Sequence, residues 1–149
     1  MYTTATSQKV VTSHRSKTIV ALLAALLGVF GAHWWYLRRP KAWLFTVVSV
    51  VLVVLAFMAD VWYDNPAFFL LIIPATVGFI EALVFSLKTD QWFDQKYNPT
   101  SDKKTKTGWG PVLIALFTTF FGSSAILFVI ALVVLHVYKA MGWLEGYVY

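Results

Sequence analysis

The chain has 149 residues, of which 59% are hydrophobic and 13% charged, a balance too apolar for a water-soluble domain of this size. The formal net charge is +5 and there is no cysteine, which excludes disulfides, thiolate metal sites and cysteine nucleophiles. The composition is that of an integral membrane protein.

Residues 1–17 are rich in Ser and Thr and lack the early apolar core of a cleavable signal peptide, so they read as a polar, mobile tail. Four apolar runs follow, at 19–35, 42–59, 67–87 and 112–138. A helix rising about 1.5 Å per residue needs about 20 residues, and at least about 17, to cross a hydrocarbon core of roughly 30 Å. The first two runs barely qualify. The Val-rich stretch 47–54 would favour a strand in water, but in lipid the backbone finds partners only within a helix or a closed barrel, and barrel-like alternation is missing. The last run is long enough to tilt or to leave the membrane at one end.

In the first run Ala24, Gly28 and Ala32 recur every four positions with Gly31 beside them, a stripe that lets backbones approach. The last run carries a comparable stripe at Ala115, Thr119 and Ser123, with Gly122 alongside. In the third run Ala75, Gly78 and Ala82 share a face with Glu81, the only acidic residue inside any of the four runs. A charged group near the hydrocarbon centre costs roughly 2.5–3.5 kcal/mol on insertion scales, so Glu81 is expected to face protein and to have a partner. Pro74, one turn before Gly78, predicts a kink.

Two connections are basic: Arg38, Arg39 and Lys41 between the first two runs, and Lys88, Lys96, Lys103, Lys104 and Lys106 between the last two. The connection 60–66 holds Asp60 and Asp64 and no basic residue, so it faces away from the cytoplasm. Four spans give eight basic residues inside against four outside. The alternative is three spans with a re-entrant or interfacial first helix, which improves the ratio to eleven against one. The expected fold is an all-α bundle of four transmembrane helices, with that alternative left open. In the loop after the third run, Trp92 and Phe93 are expected to seat at the headgroups while Lys103, Lys104 and Lys106 face anionic lipid.

The segment 17–37 resembles the TM-two domain family, whose short first helix ends in a Leu-Gly-x-x-Gly-x-His-x-Phe-Tyr-like motif before a basic turn. The matching residues are Leu27, Gly28, Gly31, Ala32, His33, Trp35, Tyr36 and Leu37. Gly78-Phe79-Ile80-Glu81-Ala82-Leu83 is similar to the later helix of that family, with Glu81 where Asp is usual, and Asp94 and Asn98 loosely match its tail. The resemblance implies a module over 18–98 with an inserted helix at 42–59, followed by a basic cytoplasmic linker at 99–110 and a C-terminal helix with a short tail at 111–149. It implies a small membrane module without an established catalytic class, and it favours four spans.

Glu81 lies roughly 9 Å along the helix from its cytoplasmic end, and His33 roughly 7 Å below the basic turn. The matching depths pair Glu81 with His33, with Tyr36 or Arg38 as substitutes. His14 and His136 have no second ligand at helical spacing, so no metal or cofactor is expected. Nor is there a phosphate-binding loop, a nucleophile elbow or a paired-carboxylate motif. Three clustered lysines make no nucleic-acid track. The sequence points to a non-catalytic structural or interaction protein, an accessory subunit or assembly partner contacting lipid and other membrane proteins or itself. The alternative is a small transporter or proton-conducting protein using Glu81 and His33. A bacterial inner membrane fits so compact a chain.

Overall fold

The computed structural model describes residues 13–144 and is helical throughout its regular elements, with no strand among the described residues. Helix α1 (Lys17–Leu27) passes into a 3₁₀ turn (Gly28–Phe30), and after a break at Gly31 comes the short α2 (Ala32–Tyr36). Then follow α3 (Ala42–Phe57), α4 (Pro66–Leu70), α5 (Ile72–Leu87), α6 (Asp90–Tyr97), α7 (Gly110–Phe117), a π-helical turn (Thr118–Gly122) and α8 (Ser123–Ala140). Two continuous helices are long and apolar enough to cross a membrane, Pro66–Leu87 and Gly110–Ala140, whereas Lys17–Phe30 and Ala42–Phe57 are shorter.

The first apolar run does not travel the length of the bundle. Its start is held at the C-terminal end of α5, where Lys17 Nζ donates to the Lys88 carbonyl (2.5 Å) and to Asp90 (2.9 Å). Gly28 reaches only as far along α5 as Gly78, and Gly31, at φ +71°, reverses the chain. The α2 helix then climbs back, so that the Tyr36 hydroxyl accepts the Ser16 N–H (3.1 Å) and Arg39 meets Tyr97. Both ends of α1–α2 therefore lie at one end of the molecule. The run 19–35 is thus a hairpin of two short helices and not the single continuous helix of the expected four-helix bundle. From there α3 runs to the opposite end, α4–α5 returns, and α7–α8 lies antiparallel to α5, with Gly110 beside Thr18, Gly122 against Phe79 and His136 against Phe69.

Each turn has a local cause. Gly28 and Gly78 cross backbone to backbone: a Cβ on either would lie 2.6 Å from the other's Cα, closer than real Cβ contacts come. Reversal at Gly31 leaves the Val29 and Phe30 carbonyls without helical donors, and α3 supplies them: Ser49 Oγ donates to Val29 (2.5 Å) and Thr46 Oγ1 to Phe30 (2.8 Å). Irregular backbone is tolerated at membrane depth only where protein buries and satisfies it, and those two hydroxyls are the only ones in α3. Pro74 has no N–H to offer the Leu70 carbonyl, and the interruption between α4 and α5 falls there, at Leu71. Asn65 caps α4, its Oδ1 accepting the Phe68 N–H (3.1 Å) while its amide donates to the Trp62 carbonyl (2.8 Å).

The core sits between α1, α5 and α6, around Val20, Ala21, Ala24, Ala82, Phe85 and Phe93. In the first helix the predicted stripe holds: Ala24, Gly28 and Gly31 are buried and Ala32 is partly so. On α5, Gly78 and Ala82 are buried and Ala75 is partly buried. The stripe of the last run is displaced. Thr119 and Ser123 are exposed and Ala115 only partly buried, whereas Pro111, Thr118 and Gly122 face α5. Gly122 seats the Phe79 ring, which sets the inward face one position away from the predicted line.

The tail expectation also changes where it can be seen. Residues 1–12 and 145–149 lie outside the described residues, but residues 13–17 are tied down: Asn98 Oδ1 accepts the Arg15 N–H (2.8 Å), and its amide donates to the Arg15 carbonyl (3.0 Å). The linker 99–110 is strapped to α6. Asp94 accepts the N–H and hydroxyl of Thr105 (2.7 and 2.5 Å), and Asp90 those of Thr107 (2.9 and 2.5 Å).

Candidate functional site

The polar centre of the molecule is built on Glu81. Reversal at Gly31 aims His33 and Trp34 at α5, and the left-handed residue Arg38 (φ 53°) turns the chain so that Arg39 folds over the same carboxylate. Glu81 Oε2 accepts from His33 Nε2 (2.5 Å) and from the Trp34 indole N–H (2.9 Å); Oε1 accepts from Arg39 Nη1 (2.5 Å). The second guanidinium nitrogen of Arg39 donates to the Tyr97 hydroxyl (3.0 Å), and its plane lies over Trp34 and Phe85, 5.3 and 5.9 Å from their ring centres. Three residues of the segment 33–39 thus converge on one carboxyl group of α5, and Tyr97 of α6 holds the arginine among them.

His33 is fully buried, and its Nδ1 has no hydrogen-bond partner among the described residues. An ionised carboxylate only accepts, so Nε2 carries the proton. Glu81 thus accepts from three donors, His33, Trp34 and Arg39, the last of which supplies a counter-charge. The side chains of Glu81 and Arg39 retain 21% and 26% exposure, so the pair sits at the edge of the core and not in its centre.

The predicted pairing of Glu81 with His33 is present. The proposed substitutes are not: the Tyr36 hydroxyl accepts from Ser16, and Arg39, not the exposed Arg38, takes the place beside the carboxylate. Arg39, Trp34 and Tyr97 escaped the sequence reading because it carried helical geometry through the basic turn, and the positive φ at Arg38 shifts the register. The loop aromatics divide. Phe93 is fully buried against Phe85 and Tyr97, not at the headgroups, while Trp92 is partly buried beneath the ammonium groups of Lys88 and Lys96. Lys103, Lys104 and Lys106 are exposed.

Three outlying clusters tie this frame together. Burial raises the Asp90 carboxyl, but hydrogen bonds from Thr107 and Lys17 outweigh it and hold the group below its ordinary value. Asp94 behaves alike, with Asn98 and Thr105 overcoming burial. At the opposite end Lys139 and His136 bond Asp64 at 2.9 and 2.7 Å and lower its carboxyl, joining α8 to the α3–α4 connection.

An all-helical chain with apolar spans and a carboxylate sheltered among them defines a membrane protein. More particularly, the family model of the TM2 domain matches residues 13–62, about a third of the chain, and this segment carries the domain. The match takes in the segment held by Asn98, the hairpin α1–α2, the basic turn and α3, so its range includes helix 42–59. Comparison with curated proteins found no match, and neither did comparison with solved structures.

Proposed function

We propose that this is a multi-pass membrane protein with three crossings, α3, α4–α5 and α7–α8, and a re-entrant hairpin α1–α2. In this reading it serves as a non-catalytic structural or interaction partner of other membrane proteins or of its own copies. Charge supports the topology. With both ends of the hairpin on one side, Arg15 and Lys17 join the eight basic residues of the two basic connections, against Lys139 alone at the other end among the described residues.

The observation that carries the role is the closure of the Glu81 cluster. Both carboxylate oxygens are taken by side chains of the same molecule, and among the described residues the second nitrogen of the imidazole is buried without a partner to relay a proton onward. Such a centre holds helices in place. Outward-facing residues of α3 and α8, among them Val47, Val51, Leu55, Leu127 and Phe128, present apolar surface suited to lipid and to neighbouring helices. An accessory subunit or assembly partner in a bacterial inner membrane fits this build.

Gentle extraction and purification under native conditions, with identification of stoichiometric companions, tests the role alongside proton flux into liposomes. A defined companion or a stable homo-oligomer, without flux, is expected. A lone chain that carries protons, with flux abolished by Glu81→Gln, would replace this reading with that of a transporter.

A further inference from the structure

At the basic end of the molecule a cavity of about 310 Å³ opens between residues 13–15 and the turn joining α2 to α3. Its lining is Ser13, His14, Arg15, Trp35, Tyr36 and Arg38, with no carboxylate among them. The acids at this end already have partners: Glu81 holds Arg39, Asp90 holds Lys17 and Thr107, and Asp94 holds Asn98 and Thr105. The Arg38 backbone N–H bonds the Trp35 carbonyl (3.0 Å) while its guanidinium has no hydrogen bond or ion pair among the described residues, where Arg15 spends one guanidinium nitrogen, on the Tyr97 carbonyl (2.8 Å). The Tyr36 hydroxyl accepts from Ser16 N–H, which leaves its own proton free to be donated.

The backbone here is unusual as well. Arg38 (φ 53°) and Lys41 (φ 65°) both occupy the left-handed region, where a helix end ordinarily places glycine or asparagine. Two basic side chains are thus kept in one short turn against backbone preference, the pattern expected where the side chain itself is needed. Trp35 and Trp43, 55% and 58% exposed, flank the turn as indoles do at the level of lipid headgroups.

We propose that this cup binds the phosphate of an anionic phospholipid headgroup, with Arg38 and Arg15 supplying charge and the Tyr36 hydroxyl a further donor. The assignment of lipid as the phosphate source rests on the hairpin topology above, which places the cup at the membrane surface. It differs from diffuse attraction by the lysines of the 99–110 linker, since it depends on one built turn.

The test uses the full chain in nanodiscs of phosphatidylcholine, with or without phosphatidylglycerol, read by thermal melting and by native mass spectrometry of retained lipid. Phosphatidylglycerol should raise the melting temperature of the unmodified chain. Arg38→Gly relieves the backbone, so it should melt no lower in phosphatidylcholine while its apparent affinity for phosphatidylglycerol falls about fivefold, the value of one basic group at an anionic surface. Arg38→Lys should keep most of the response, and Lys104→Gln, which removes only one charge of the diffuse linker attraction, should lose clearly less than Arg38→Gly. An unaltered response in Arg38→Gly, or an equal loss in Lys104→Gln, would overturn the site. Stabilisation by inorganic phosphate in phosphatidylcholine nanodiscs, matching that by phosphatidylglycerol, would overturn the lipid assignment in favour of a soluble phosphate. Failure of the topology is read separately, by the labelling of Ser13 and Ser101 described below.

Discussion

Replacing Glu81 by Ala should expose how the cluster is held. The change leaves the His33 Nε2–H fully buried without an acceptor, frees the Trp34 indole N–H, and removes the counter-charge of Arg39. Breaking a sealed ion pair costs roughly 3–5 kcal/mol, but partial exposure of Glu81 and Arg39 lets water compensate some of the charge, so a loss of about 2–4 kcal/mol is expected. His33→Ala removes one of three donors and should cost about 1.5–3 kcal/mol, as for a hydrogen bond to a charged group. His33→Gln, whose amide can reach where Nε2 stands, should recover part of this. In the double mutant Glu81→Ala, His33→Ala the buried donor is gone together with its acceptor, so the losses should fall short of their sum by about 1 kcal/mol or more. The assay is reversible unfolding in mixed micelles by denaturing detergent, followed by tryptophan fluorescence. Additivity within about 0.5 kcal/mol would refute direct coupling of the two residues.

Three other outcomes follow from the same geometry. Gly28→Ala and Gly78→Ala each place a methyl 2.6 Å from a facing Cα, and overpacking of this kind costs roughly 1–3 kcal/mol; Gly108→Ala, with nothing within 4 Å, is the control and should be near neutral in the same unfolding assay. Equal behaviour of Gly28→Ala and Gly108→Ala would refute the crossing. Single cysteines at Ser13 and Ser101 should be labelled by an impermeant maleimide from the same face of sealed vesicles, and one at Asp60 from the other; labelling of Ser13 and Ser101 from opposite faces would sink the hairpin. Because Asp90 and Asp94 are held below the ordinary carboxylate value, their contribution to stability is complete above about pH 4 and is lost as pH falls through the lowered folded values. The backbone amide resonances of Thr105 and Thr107 should report that transition in a titration, and midpoints at or above the ordinary value would contradict the strap.

The shared depth of His33 and Glu81 was legible because depth along a helix follows from residue count, and both residues are counted from nearby basic boundaries. Arg39, Trp34 and Tyr97 were not, since a left-handed residue inside the turn shifts which side chain points inward, and nothing in Arg38-Arg39 distinguishes the two arginines before the chain is folded. Phe93 and Trp92 stand one residue apart on an amphipathic helix, and only packing of α6 on α5 decides which is buried.

By itself the sequence determined the helical class, the sheltering of Glu81 and the small-residue stripes that hold Gly28 and Gly78, because each follows from the solvation of backbone and charge or from the absence of a side chain; that these two glycines meet is seen only in the fold. Tertiary structure alone decided that the first apolar run turns back. A run of that length can cross or re-enter at similar hydrophobic gain, and the choice rests on whether the carbonyls freed at Gly31 find donors, which Thr46 and Ser49 provide only once α3 is packed beside them.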